Sequence, residues 1–185
     1  MPRAGLSAPA VVDIALDIVD TEGPEALALS LVAARAGVAA PSLYKHVGGL
    51  AELRALVANR ILDEMAEVAT SAVMGRAGDE AVTALMRELR AYVVRHPARY
   101  RAVPADPLHD PALAAAGERF MGVFLAVLRS YGLTGSAAVH ALRRLRAVVH
   151  GFAAIESAGG FGLAEDPTDS YEQVIDMYLA SLPRR

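Results

Sequence analysis

Small, hydroxylic and cationic side chains lie together at Ala40, Pro41, Ser42, Tyr44, Lys45 and His46. On a short helix they suit contact with phosphates and base edges. Ser42 can donate to either, Ala40 and Pro41 are small enough to touch a thymine methyl, and Tyr44 and Lys45 offer a phenol and an ammonium to the backbone. His46 adds an imidazole N–H. Free N–H groups and the dipole at the N-terminus of such a helix would also draw a phosphate oxygen. Leu43 and Val47 are four residues apart and would face inward.

No other residues form a comparable constellation. The five histidines and the scattered acids show no HExxH, no paired metal-ligand spacing and no nucleophile elbow. Asp106, His109 and Asp110 sit in a proline-rich stretch, where solvated loop charge is a commoner explanation than a metal. The sequence implies neither an enzyme nor a metal or other cofactor. Gly159-Gly160-Phe161-Gly162 is not GxGxxG and follows no strand. Zero cysteines exclude disulfides, no apolar run spans a bilayer and the N-terminus has no secretion signal, so a cytoplasmic protein is expected.

Net charge is −3, against a generic polyanion binder, but charge is unevenly placed. Residues 1–29 set Arg3 against Asp13, Asp17, Asp20, Glu22 and Glu25, whereas residues 30–60 hold Arg35, Lys45, Arg54 and Arg60 against Glu52. The positive charge accompanies the Ala40–His46 stretch. Lys45 is the chain's single lysine.

The elements that would position these residues are all helical. Ser7 can cap a first helix whose stripe Val11, Ile14, Ala15, Ile18 and Val19 is ended by Gly23-Pro24. A second helix runs from about Ala28 to Ala36 and stops at Gly37. The third covers roughly Ala40 to His46. After Gly48-Gly49 a long helix runs from Leu50 to about Val73. The expected organisation is a three-helix head over residues 1–49, joined by the helix of about 50–74 to a helical bundle within residues 50–185. In the bundle, Val82 to Val93 form a stripe ended by His96-Pro97, and a short helix is expected over Arg99 to Val103. Phe120 to Leu128 form the next stripe, Ser136 opens a helix to about Ala158, and Tyr171 to Leu182 form the last.

Helix, tight turn and second helix let one helix brace on DNA while the next enters the major groove. The bland alternative is a lookalike inside an ordinary helical protein. The order LALSLVAARAGVAAPSLYKHV, then a helix beginning LAEL, resembles the N-terminal domain of the tetracycline-repressor (TetR) family over about residues 7–60. Ala147-Val148-Val149-His150-Gly151-Phe152 resembles the His-Gly signature of one C-terminal subclass of that family. The resemblance implies operator contacts from Ala40, Pro41, Ser42, Tyr44, Lys45 and His46, with Ser30 near a phosphate. Two positions depart from the pattern: Ala28 replaces the usual Thr or Ser cap, and Leu50 replaces a lysine that usually meets phosphate.

The implied protein is an all-α, sequence-specific transcriptional regulator, most readily a repressor, with no membrane partner. It would bind a palindromic double-stranded operator as a homodimer and leave it when a small, largely apolar effector enters the body. Leu89, Phe120, Phe124 and His150 are the candidate effector contacts. Val148, Phe152, Ile155, Val174, Ile175, Tyr178 and Leu182 are the candidate dimer interface. The competing functions are a dimerising DNA-binding protein without an effector and a helical protein–protein interaction module with a vestigial head.

Overall fold

In the computed structural model, which describes residues 6–184, every regular element is helical. α1 (Ala8–Glu22) opens as expected: Ser7 Oγ accepts from Ala10 N–H at 3.3 Å, with Pro9 in the first turn. Its buried face is shifted from the expected stripe: Val12 and Leu16 are buried beside Val11, Ala15, Ile18 and Val19, and Ile14 is only half-buried. α2 (Leu29–Ala36) ends at Gly37, whose φ of 66° is left-handed and lets Val38 N–H reach Ala33 O at 3.1 Å.

The segment after that turn differs from expectation. Ala40–Lys45 is a 3₁₀ helix rather than an α-helix to His46. Pro41 has no N–H to donate and Gly48-Gly49 interrupt the chain shortly afterwards. Six residues bounded in this way close more readily with i→i+3 bonds, such as Ser42 N–H to Ala39 O at 2.8 Å. α3 (Leu50–Val73) follows as expected. Glu52 anchors its start by accepting from Gly48 N–H at 2.5 Å.

The chain divides into two compact units. One comprises the residues up to Leu62 together with Ala98–Ala116, and the other Asp63–Pro97 with the residues from Gly117 onward. The first unit thus reaches past the expected head of residues 1–49. It also takes in α5 (Pro97–Ala102), the 3₁₀ turn Pro107–His109 and the start of α6 (Ala114–Arg129). α5 begins at Pro97 rather than Arg99, directly after the preceding helix. Arg99 grips Asp20 of α1 at 2.6 Å, and Asn59 Nδ2 donates to Ala112 O at 2.8 Å.

In the second unit α4 (Gly78–Arg95) packs against α7 (Gly135–Ser157) and α8 (Pro167–Ala180). The expected stripe of α4 is buried at Val82, Leu85, Met86, Leu89, Tyr92 and Val93. Two buried phenols join the three helices: Tyr171 donates to Met86 O at 2.8 Å and Tyr178 to Ala141 O at 3.1 Å. Each donor meets a carbonyl, so neither hydroxyl is stranded.

Burial opposes ionisation and pushes the Tyr178 phenol up to about 12, and Tyr171 is raised by the same cause. The unfolded chain therefore loses these protons first as pH rises, from about pH 10, so stability is full below that value and falls above it. Denaturant unfolding followed from pH 8 to 11.5 should show this fall, and Tyr178→Phe should make it shallower.

Candidate nucleic-acid interface

Leu43 is wholly buried and Val47 is 2% exposed, while Pro41, Tyr44 and Lys45 are exposed. A 3₁₀ helix has three residues per turn, which sorts these positions into edges. Pro41 and Tyr44 share one edge, Ser42 and Lys45 the next, and Leu43 and His46 the third. Since Leu43 points inward, its edge-mate His46 is half-buried. The expected contacts therefore divide: Pro41, Tyr44 and Lys45 are exposed, with Tyr44 60% exposed, and Ser42 and His46 are half-buried. Ala40 is half-buried beside them, and Ser30 is exposed on the first turn of α2.

The N-terminus of this helix offers fewer free N–H groups than an α-helix would. Pro41 lacks an N–H, Ser42 N–H is engaged by Ala39 O, and six residues carry little dipole. Ala28 occupies the N-cap of α2 without any side-chain bond, as its residue type requires.

The local positive charge is largely matched by α1. Arg35 binds Asp17 and also Glu22 at 2.5 Å, with Thr21 Oγ1 at 3.1 Å. Arg60 lies 3.7 Å from Asp13. Among the described residues, Lys45 and Arg54 are the cations of residues 30–60 with no carboxylate partner, and both are exposed. Arg54 lies on the first turn of α3, one residue after buried Leu53. The sequence counts it in the local positive charge but does not mark it as a DNA contact, although its place four residues after Leu50 follows from helical spacing.

The body residues singled out in the sequence are not gathered together. Leu89, Phe120 and Phe124 are buried, and the two phenylalanine rings meet edge to face at 5.0 Å. His150, by contrast, is exposed on α7, so it is neither core nor part of that cluster. The interface candidates also separate. Ile175, Tyr178 and Leu182 are buried in the protomer's own core. Val148, Phe152 and Val174 are half-buried, and Ile155 is 48% exposed. Val139 and Met177 are further exposed apolar residues on the same two helices.

Asp106 and His109 pair with each other at 2.6 Å, and Asp110 accepts from Ala112 N–H at 2.9 Å, so these three do not converge on a common point. Among the described residues no group of three or more His, Asp or Glu is arranged to hold a metal ion. No helix among them is long and apolar enough to cross a membrane.

Residues 82–178 match a family model for the Tetracyclin repressor-like C-terminal domain. Over 98% of its length the chain is 35% identical to Rv0681, an uncharacterized HTH-type transcriptional regulator of Mycobacterium tuberculosis, covering 84% of that protein. The chain belongs to the TetR family. Another relative, the uncharacterized HTH-type transcriptional regulator YobS of Bacillus subtilis, is 30% identical over 98% of this chain and 95% of its own length. The TetR-family fold is also that of Streptomyces coelicolor ActR in complex with (S)-DNPA. That structure superposes with a TM-score of 0.70 and 24% identity, over 96% of this chain and 97% of ActR. These homologues are transcriptional regulators and not enzymes.

The two kinds of cation in this TetR-family head differ in role and can be separated. Arg35→Gln removes a brace between α1 and α2, and half-exposed pairs of this kind contribute about 0.5–1 kcal/mol. Thermal unfolding should show a loss of that size. Arg54→Gln should leave stability unchanged within error.

Proposed function

We propose that this protein is a sequence-specific repressor that binds a palindromic operator as a homodimer and is released by a small, largely apolar effector. The observation that carries the reading is the exposed set Pro41, Tyr44 and Lys45, with half-buried Ser42 between them, held outward by buried Leu43. A side chain that reaches bases needs a fixed backbone beneath it, and Leu43 with Val47 provides one. Ser42 reads a base edge together with Ala40 and Pro41, and Tyr44, Lys45 and Ser30 clamp phosphates. His46 serves as a peripheral contact from its half-buried position. The work is divided between a DNA-reading part, residues 1–49, and an effector-binding and dimerising part, residues 50–185. A DNA partner places the protein in the cytoplasm.

A single head makes too few contacts for selective binding, and paired heads must sit about 34–36 Å apart or a multiple of it. Dimerisation follows from this requirement. The exposed apolar residues Val139, Ile155 and Met177 of α7 and α8 support an isologous pairing there. An effector acts by favouring a head spacing that fits the operator poorly. A ligand that binds the body and leaves operator affinity unchanged would contradict this coupling.

Selection of bound sequences from random DNA by the purified protein tests the reading. A palindrome with half-sites one helical turn apart is expected, and an unenriched pool would remove the proposal. On the selected site, Lys45→Ala should weaken binding to all sequences by roughly tenfold. Ser42→Ala should instead change base preference at one position of each half-site.

A further inference from the structure

A cleft of about 490 Å³ opens on the body unit over α4, at the end of α7 and the start of α8. Its floor is apolar, formed by Ala91 and Val94, and Val94 is 38% exposed. Three arginines, Arg87, Arg90 and Arg95, line it against two acids, Glu156 and Glu172. None of these residues belongs to the expected effector set, and none is near the DNA-reading segment in sequence.

The acids are already satisfied. Arg90 holds Glu156 through Nε and Nη2 at 2.7 and 2.6 Å, and Arg87 holds Glu172 in the same bidentate way at 2.8 and 2.6 Å. Each carboxylate thus has both oxygens engaged, and the Glu172 carboxyl is held below its usual range by the Arg87 hydrogen bonds. The guanidinium groups, however, have donors left over. Nη1 of Arg87 and of Arg90 has no protein partner, and Arg95 uses only Nε, on Ala91 O at 3.1 Å. Arg90 is also fixed in orientation. Its guanidinium carbon lies 5.0 Å from the Tyr171 ring centre and 5.6 Å from that of Phe152, and its side chain is only 14% exposed.

A cation entering the cleft would find no free carboxylate oxygen, whereas an anion would find unengaged donors and one uncompensated positive charge. The volume falls in the range of small-molecule sites. We propose that this cleft is a binding site for an amphiphilic carboxylate, its headgroup on the free Nη donors of Arg95 and Arg87 and its apolar body on Ala91 and Val94. The site rests on the cleft's own geometry and not on the regulator reading, so it stands or falls separately from DNA binding.

Calorimetric titration of the full chain with decanoate, decanol and decylammonium tests it, each below its micellar concentration. Decanoate should bind saturably at one per chain. Decanol should bind at least about tenfold more weakly and decylammonium more weakly still. Octanoate should lose about tenfold against decanoate, from the two missing methylenes. Arg95→Gln should weaken decanoate by about tenfold, and Val94→Glu should abolish it by placing a carboxylate on the floor. Both positions are exposed, and an unchanged melting temperature would show that the variants fold. Equal affinity for the three probes, non-saturating uptake, or decanoate binding unaffected in both variants would overturn the proposal.

Discussion

Burial of Leu43 is the constraint on which the surface proposed to meet DNA depends. The segment that carries it has six residues, too few to be stable as an isolated helix. It is held because one side chain in its middle is fully withdrawn from water, with Val47 adding a second anchor just beyond it. With three residues per turn, fixing Leu43 fixes the direction of every neighbour: Tyr44 and Lys45 outward, Ser42 between, His46 partly in. A polar residue at position 43 would free the segment to turn, and the surface would lose its definition even with each contact residue intact.

Electrostatics shape the same surface by subtraction. The acids of α1 look, as a charge count, like a liability beside a polyanion. In the fold they are matched: Asp17 and Glu22 with Arg35, Asp13 with Arg60, and Asp20 with Arg99. These pairs tie α2, α3 and α5 to α1. They also leave Lys45 and Arg54 as the cations of residues 30–60 without a carboxylate partner among the described residues. Arg99 comes from a stretch that is distant in sequence, and with Asn59 and Ala112 it makes residues after α4 part of the same compact unit as α1.

Helix limits were legible where a local residue sets them. Ser7, Gly37 and His96-Pro97 each act through their own backbone or side chain, and each ended or began a helix where expected. The choice between α and 3₁₀ at Ala40–Lys45 was not legible, because it turns on how a short segment packs. The partners of Arg35 and Arg99 were hidden for a related reason: they join residues 18 and 79 positions apart, and no local pattern marks them. On the alanine-rich α7 and on α8, apolar residues fall on more than one face, so periodicity could not say which stripe turns inward. Tyr178 and Ile175 proved to be core. His150 proved to be surface. The family resemblance supplied the expected DNA contacts as positions; the fold added their grading from exposed to half-buried.

On the proposed reading each head meets DNA through few cations, because the others are held by the protein's own acids. The salt dependence of operator affinity measures this most directly. Lys45 and Arg54 from two heads would neutralise about four phosphates, so log K should fall against log salt with a slope of about −3.6. A slope near zero would mean that these residues do not face the backbone. A slope steeper than about −7 would mean that Arg35 and Arg60 leave their acids to bind phosphate, contradicting the charge matching described for α1.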